Sequence, residues 1–145
     1  MTDDDRHPVI LNTAAAPSPD YVHEVSAAVP QAIRVLNEQT RHPEAIQEPQ
    51  DAHQVVLDMD MAASRLPQLL HQIASWYERE AAAGRLEVVS GDRKGAPAMA
   101  VVAIRMRADA ARMAAEQLSA DLASVAQVTA CLAAAQVRED GEDER

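Results

Sequence analysis

The sequence is poor in the residues from which sheets and disulfides are built. It contains no Phe, one Trp, two Tyr and a single Cys among its 145 residues. Because strands favour aromatic and β-branched residues, a core drawn from Ala, Val, Leu, Ile and Met suits closely packed helices better than a sheet. Cys131 has no second cysteine with which to form an internal disulfide. We expect it to be a buried, inert thiol, since no Lys or His stands near it in sequence.

Long apolar runs and an excess of positive charge are also missing. No stretch approaches the roughly 20 apolar residues that a membrane-spanning helix needs, and the acidic start MTDDDRHPVI is unlike a secretory signal peptide. The 23 acidic and 13 basic residues give a formal charge of −10, which disfavours nonspecific binding to DNA or anionic lipid. These absences predict a soluble, cytoplasmic chain with no membrane partner.

The apolar residues that are present recur at helical steps. They predict an all-α fold, a three-helix antiparallel bundle dominated by a long helical hairpin, with helices at about 19–41, 51–83 and 97–137. The bundle spans 18–137, after a flexible arm at 1–17 and before a disordered acidic tail at 138–145. Ser18 and Pro19 fit the first positions of a helix. Pro30 and Pro67 fall inside the predicted helices, and each predicts either a bend or a break. At Pro67 a bend in one continuous helix is favoured, because the apolar step does not slip across it.

The second and third helices each carry an apolar stripe at alternating steps of three and four. The residues are Val55, Met59, Ala62, Leu66, Leu69, Ile73 and Trp76 in the second helix and Val101, Ile104, Ala108, Ala111, Ala115, Leu118, Leu122, Val125, Thr129 and Leu132 in the third. A second set, Val56, Ala63, Leu70 and Tyr77, repeats every seven residues beside the first and widens it.

If the glycine-containing loop at 84–97 folds about its middle, residue i faces roughly residue 181 minus i, so that large residues meet small ones. This register predicts that Leu66 and Leu69 are buried over Ala115 and Ala111. Trp76 is then a core residue, or alternatively an anchor that faces a partner. The first helix is expected to cover part of the groove between the other two.

Residues that would carry chemistry do not converge. The five histidines never stand at i, i+4 spacing with one another or with Cys131, whereas a metal site needs three or four such ligands together. No nucleophile, base and orienting group can be assembled. The sequence therefore predicts a protein that is not an enzyme, with no catalytic residue, no metal and no cofactor.

Two features predict a possible binding surface. The segment GDRKG, 91–95, is either a mobile loop or a backbone nest for phosphate. Residues 85–112 have a local charge of +3, because six basic residues outnumber Glu87, Asp92 and Asp109. The six are Arg85, Arg93, Lys94, Arg105, Arg107 and Arg112. However, Arg105, Asp109, Arg112 and Glu116 alternate in sign at steps of four, three and four, which is typical of a surface ladder of ion pairs.

The stretches YVHEVSAAVPQAIRVLNEQT and LPQLLHQIASWYEREAAAGRL, followed by an Ala-rich helix, resemble small all-helical proteins of actinobacteria. The resemblance covers about residues 20–134 and implies no activity. We expect a non-enzymatic interaction or regulatory adaptor protein that binds a protein partner or self-associates, for example as a homodimer. One alternative is a nucleic-acid-associated regulator that uses residues 85–112. Another is a secreted WXG-type hairpin, although Trp76 is followed here by Tyr77 and Glu78.

Overall fold

The computed structural model describes residues 11–132 of the chain. This part contains three helices and no strand: α1 (Pro19–Gln39), α2 (Pro49–Ala82) and α3 (Pro97–Thr129). The predicted all-α fold, dominated by a long helical hairpin, is confirmed. The acidic tail at 138–145 and the first ten residues of the arm lie outside the described residues. Among the described helices, none combines the length and the apolar character that crossing a bilayer requires.

The chain divides into two compact units, Met1–Gln47 and Glu48–Arg145. The first unit contains α1, which begins as predicted: Pro19 is its first residue, and the Ser18 hydroxyl accepts a hydrogen bond from the Tyr21 N–H. The helix continues through Pro30 to Gln39. Before it, the Asn12 N–H donates to the Tyr21 hydroxyl over 2.7 Å, so part of the predicted flexible arm is tied to α1. The prediction that α1 covers the hairpin groove stays a prediction.

The second unit contains α2, which begins two residues earlier than predicted. Pro49 occupies the first turn, where its missing N–H costs no helical hydrogen bond. The Asp51 carboxylate accepts from the Glu48 N–H over 3.0 Å and caps the helix start. The helix then continues without a break through Pro67 to Ala82, as expected from a stripe that keeps its step across the proline. Gly84, at φ 69°, takes the left-handed conformation that turns the chain out of the helix.

Helices α2 and α3 pack side by side and run antiparallel. Three polar contacts fix their register: His53 Nδ1 lies 2.8 Å from Thr129 Oγ1, Ser119 Oγ donates to Asp60 over 2.5 Å, and Arg105 lies 3.6 Å from Glu78. The residue numbers in these pairs add up to 182, 179 and 183. The predicted register, in which the two numbers add up to about 181, is therefore correct.

Helix α3 ends at Thr129, whereas the sequence predicts a helix to 137. Residues 130–132 are not helical, and 133–137 lie outside the described residues. The hairpin register supplies a physical reason for the earlier end. Because α2 begins at Pro49, a residue beyond about 132 has no α2 residue opposite it to pack against.

The face that α2 presents to α3 differs from the prediction. Ala63 and Ala74 are 3% and 1% exposed, and Leu70 and Tyr77 are half-buried. Leu66 and Leu69, which were expected to be buried over alanines, are 40% and 50% exposed. The contact therefore follows the second set of residues, one position further along the helix, because small side chains let the two backbones approach closely.

On α3 the contact follows Val101, Ile104, Ala108, Ala115, Leu122 and Ala126, which are buried or half-buried. We call these residues, together with Val56, Ala63, Leu70, Ala74 and Tyr77 of α2, the seam. Within the described residues, the buried positions are Ala63, Ala74, Val101, Ala115 and Ala126, and no large side chain is fully buried. Because four of these five buried positions are alanines, the seam buries little apolar surface, and the hairpin leaves most of its larger aliphatic residues outside it.

Candidate functional site

The hairpin has two chemically different sides, and helical rotation assigns residues to them. A residue that directly follows a seam residue is rotated by about 100° to one side, and a residue that precedes it is rotated to the other. Antiparallel helices that face each other bring equal rotations to the same side of the pair. Glu78 follows Tyr77, Arg105 follows Ile104, and these two charged residues lie 3.6 Å apart across the pair. We call their side the polar side.

The opposite side is formed by residues that precede buried or half-buried positions, and it is mostly apolar in both helices, although Arg107 and Asp121 of α3 also lie on it. We call it the apolar side: Val55, Met59, Ala62, Leu66, Leu69, Ile73 and Trp76 of α2 with Ala111, Leu118 and Val125 of α3. Ile73 and Trp76 are each 46% exposed, and Leu118 and Val125 are 49% and 46% exposed. Large apolar residues placed side by side on two packed helices form a continuous patch, which marks an interaction surface more often than scattered residues do.

An open cleft of about 680 Å³ lies near the loop end of this same side. Leu70, Ile104 and Ala111 line its floor, and the loop contributes Gly91 and Arg93 to its wall. The predicted GDRKG segment is closed by a turn in which the Lys94 N–H donates to the Gly91 carbonyl over 3.1 Å. The cleft is lined mostly by apolar residues, and its two arginines, Arg93 and Arg107, are accompanied by Asp92. Such a lining suits an apolar side chain better than a phosphate.

The six basic residues singled out from the sequence do not form one surface. Arg85 donates two hydrogen bonds to Glu80, over 2.6 and 2.7 Å. The predicted ladder is present: Arg105 lies 3.5 Å from Asp109, Arg112 lies 3.9 Å from Asp109, and Arg112 lies 2.6 Å from Glu116. Arg93 and Arg107 line the cleft on the other side of the hairpin, and Lys94 is an exposed loop residue.

These ion pairs change the titration of one carboxylate in particular. The pKa of Glu80 is lowered by its hydrogen bonds from Arg85, and the pKa of Arg85 is raised by the same contact. Because half of the predicted basic residues are held by carboxylates, the +3 of residues 85–112 is not available as a single field for a polyanion.

Trp76 and Cys131 both differ from the first expectation. Trp76 is not a buried core residue but stands on the apolar side, with its ring edge-on to Tyr77 at a centroid distance of 4.9 Å. Cys131 is exposed rather than buried, and its thiol donates to the Gln127 carbonyl. Among residues 11–132, no three His, Cys, Asp or Glu side chains come together in a way that suits a metal ion.

The longer stripe of α2 faces away from α3, contrary to the expectation from the sequence. A signal was present: two parallel apolar stripes on one helix, Val55 to Trp76 and Val56 to Tyr77, cover more of its circumference than a single neighbouring helix can bury. A helix with two apolar faces at about 100° to each other is typical of a bundle in which each helix has two neighbours.

No protein-family model, characterised protein or solved structure matches this chain.

Proposed function

We propose that this protein is a non-enzymatic helical interaction protein, acting as a regulatory adaptor that binds a helical partner on the apolar side of its α2–α3 hairpin. The observation that supports the proposal is the exposure of Leu66, Leu69, Ile73 and Trp76 along one stripe of α2. These four residues stand at steps of three and four, so that an approaching helix contacts all of them at once.

The energetics of the hairpin favour a covered apolar side. Within the described residues no large side chain is fully buried in the seam, whereas complete burial of a Leu or Ile side chain is worth about 1.5 to 3 kcal/mol. The large residues of the α2 stripe are about half exposed, so covering them would release about half of that burial free energy. A Trp surrounded by aliphatic residues is also the kind of anchor around which binding energy concentrates in protein interfaces.

Side-specific photo-crosslinking tests this proposal. A photoreactive amino acid replaces Leu69 on the apolar side or, as the matched control, the neighbouring-turn residue Ser75 on the polar side. We expect a covalent adduct from position 69 in cells and none from position 75. Equal labelling from both positions, or none from position 69, would contradict the proposal, and the mass of the adduct identifies what is bound.

A role in nucleic-acid binding is a second candidate, favoured by the placement of Arg93 and Arg107 around one cleft. Its test uses duplex DNA at low salt, where electrostatic binding is strongest. Loss of binding in Arg107→Glu but not in Arg105→Glu would support it, because Arg105 is already paired with Glu78 and Asp109. An absence of binding by the unaltered protein would end it.

A further inference from the structure

The exposed stripe of α2, from Val55 to Trp76, has the regular spacing of a coiled coil, but it has no partner helix within the hairpin. From Val55 to Trp76 its seven residues alternate steps of four and three, which is the spacing of the core positions in a coiled coil. Leu66, Leu69, Ile73 and Trp76 along it are 40 to 50% exposed. Such a stripe fits a second α-helix of similar length, about 30 Å.

We infer that the partner is a second copy of this chain, bound through a two-fold axis that crosses α2 near Pro67 and α3 near Ala114 to give a four-helix bundle. This inference rests on the proposed function and specifies its partner. In the bundle, α2 lies antiparallel on α2 of the second copy, and α3 lies antiparallel on the second α3.

Apolar packing on α2 agrees with this axis. Residues whose numbers add up to about 135 face each other across it, as core positions of antiparallel coiled coils do. Leu66 faces Leu69 of the second copy, and the small Ala62 faces Ile73. Met59 faces Trp76, a sulfur–aromatic contact that is itself favourable. Large residues therefore meet small or flexible ones without a clash.

Charge complementarity on α2 favours an antiparallel second copy. The exposed residues that flank the stripe on its outer edge are Asp58, Arg65, Gln72 and Arg79. Across the axis Asp58 lies beside Arg79 of the second copy, and Arg65 lies beside Gln72. The symmetry repeats the first pair, so the edge carries two attractive pairs and no pair of like charges.

On helix α3 the same two-fold axis also brings complementary residues together, independently of the pairs on α2. Because residue i of α2 lies opposite about residue 181 minus i, an axis near Pro67 meets α3 at Ala114. Around Ala114 the exposed Arg107 faces the exposed Asp121 of the second copy, and Leu118 faces Ala111. The same axis therefore pairs opposite charges on both helices, although their sequences are unrelated.

The other two-fold arrangement, with an axis along the helices, sets α2 on α3 of the second copy. It places Asp58 beside Asp121, two like charges at one interface, which is unfavourable. The favoured face is two helices wide, roughly 20 Å, and about 30 Å long. That size is comparable with the roughly 800 Å² that each partner contributes to a stable interface.

A charge-swap series on the full chain tests the pairing. We expect the unaltered protein to sediment as a dimer at tens of micromolar, and Asp58→Arg or Arg79→Asp alone to weaken the dimer at least about tenfold. The double variant Asp58→Arg/Arg79→Asp restores it. Both residues are exposed, so folding is retained and is checked by circular dichroism. Glu116→Arg, the same charge change on the polar side, serves as the matched control and leaves the dimer unchanged.

A cysteine trap tests the axis itself in a Cys131→Ser background. Ala114→Cys places one thiol next to its own symmetry mate, so we expect a disulfide-linked dimer on mild oxidation. Ala120→Cys, an exposed alanine of the same helix, gives none. A monomer at 100 μM, a double variant no more dimeric than the single ones, or equal trapping at both positions would overturn the inference.

These results separate the inference from the proposed function. If the chain is a monomer but the photoreactive residue at position 69 forms an adduct with another protein, the inference fails and the proposed function stands. If position 69 forms no adduct and no dimer is found, both fail.

Discussion

Leu69 and Leu70 are neighbours in α2 that the structure places in different environments. Leu70 is a half-buried seam residue that faces α3, whereas Leu69 lies on the apolar side and is 50% exposed. Replacing each by Ala in turn removes the same atoms from the same helical turn. Helix propensity therefore changes equally in the two variants, and any difference in stability reports the tertiary contact alone.

The expected magnitudes follow from burial. Leu→Ala in a packed core costs about 2 to 5 kcal/mol, and the partial exposure of Leu70 puts its cost near the lower limit, about 2 kcal/mol. Leu69 has half of its side chain in water, so its loss costs less than about 1 kcal/mol in an isolated hairpin. The predicted difference between the two variants is thus at least about 1 kcal/mol at low protein concentration.

Urea unfolding followed by far-ultraviolet circular dichroism measures both free energies at about 1 μM chain, under a two-state treatment. If Leu69→Ala loses as much stability there as Leu70→Ala, the assignment of the seam is wrong. A repeat at about 100 μM adds a second check. If the apolar side is covered by a second copy, the cost of Leu69→Ala rises with concentration, because association stabilises only the folded state.

Two further predictions concern polar contacts. Ser119→Ala removes the cross-helix hydrogen bond to Asp60 and should lower the unfolding free energy by about 1 to 2 kcal/mol. Ser124→Ala is the control, because its hydroxyl donates to Ala120 of the same helix, and it should change the unfolding free energy by less than about 0.5 kcal/mol. Equal losses in the two variants would contradict the register of α2 against α3. Glu80 has a lowered pKa because Arg85 donates to its carboxylate. The ionised pair therefore contributes stability above the usual glutamate pKa of 4.5, and the contribution is lost as the pH falls through the lowered pKa. Melting temperatures from pH 7 to pH 3 should fall less in Glu80→Gln than in the unaltered protein, and parallel curves would refute the assignment.

Much of the fold was predictable because local signals and loop geometry suffice for it. Ser18 and Pro19 mark the start of α1 by capping chemistry alone. Pro97 marks the start of α3 in the same way. The register of α2 against α3 agrees with a glycine-containing loop that turns about its middle, and three cross-helix polar contacts fix it.

The rotation of α2 about its own axis was not predictable in the same way. Its two stripes, Val55 to Trp76 and Val56 to Tyr77, have the same period, so periodicity does not distinguish them. Side-chain size then favours the stripe with the larger residues as the interior. The observed contact instead uses Ala63 and Ala74. Which stripe faces α3 depends on how closely two backbones can approach, a property of the pair that neither helix carries alone.

The candidate site depends on that rotation. The amino-acid sequence by itself determined that the chain forms long amphipathic helices, that two of them fold back on each other and in which register, because periodicity, capping and loop position are local properties. Only the tertiary structure decided that alanines occupy the most buried positions of the contact, that Trp76 and its aliphatic neighbours face outward, and that Glu78 and Arg105 meet on the opposite side. Those choices depend on shape complementarity between surfaces far apart in sequence.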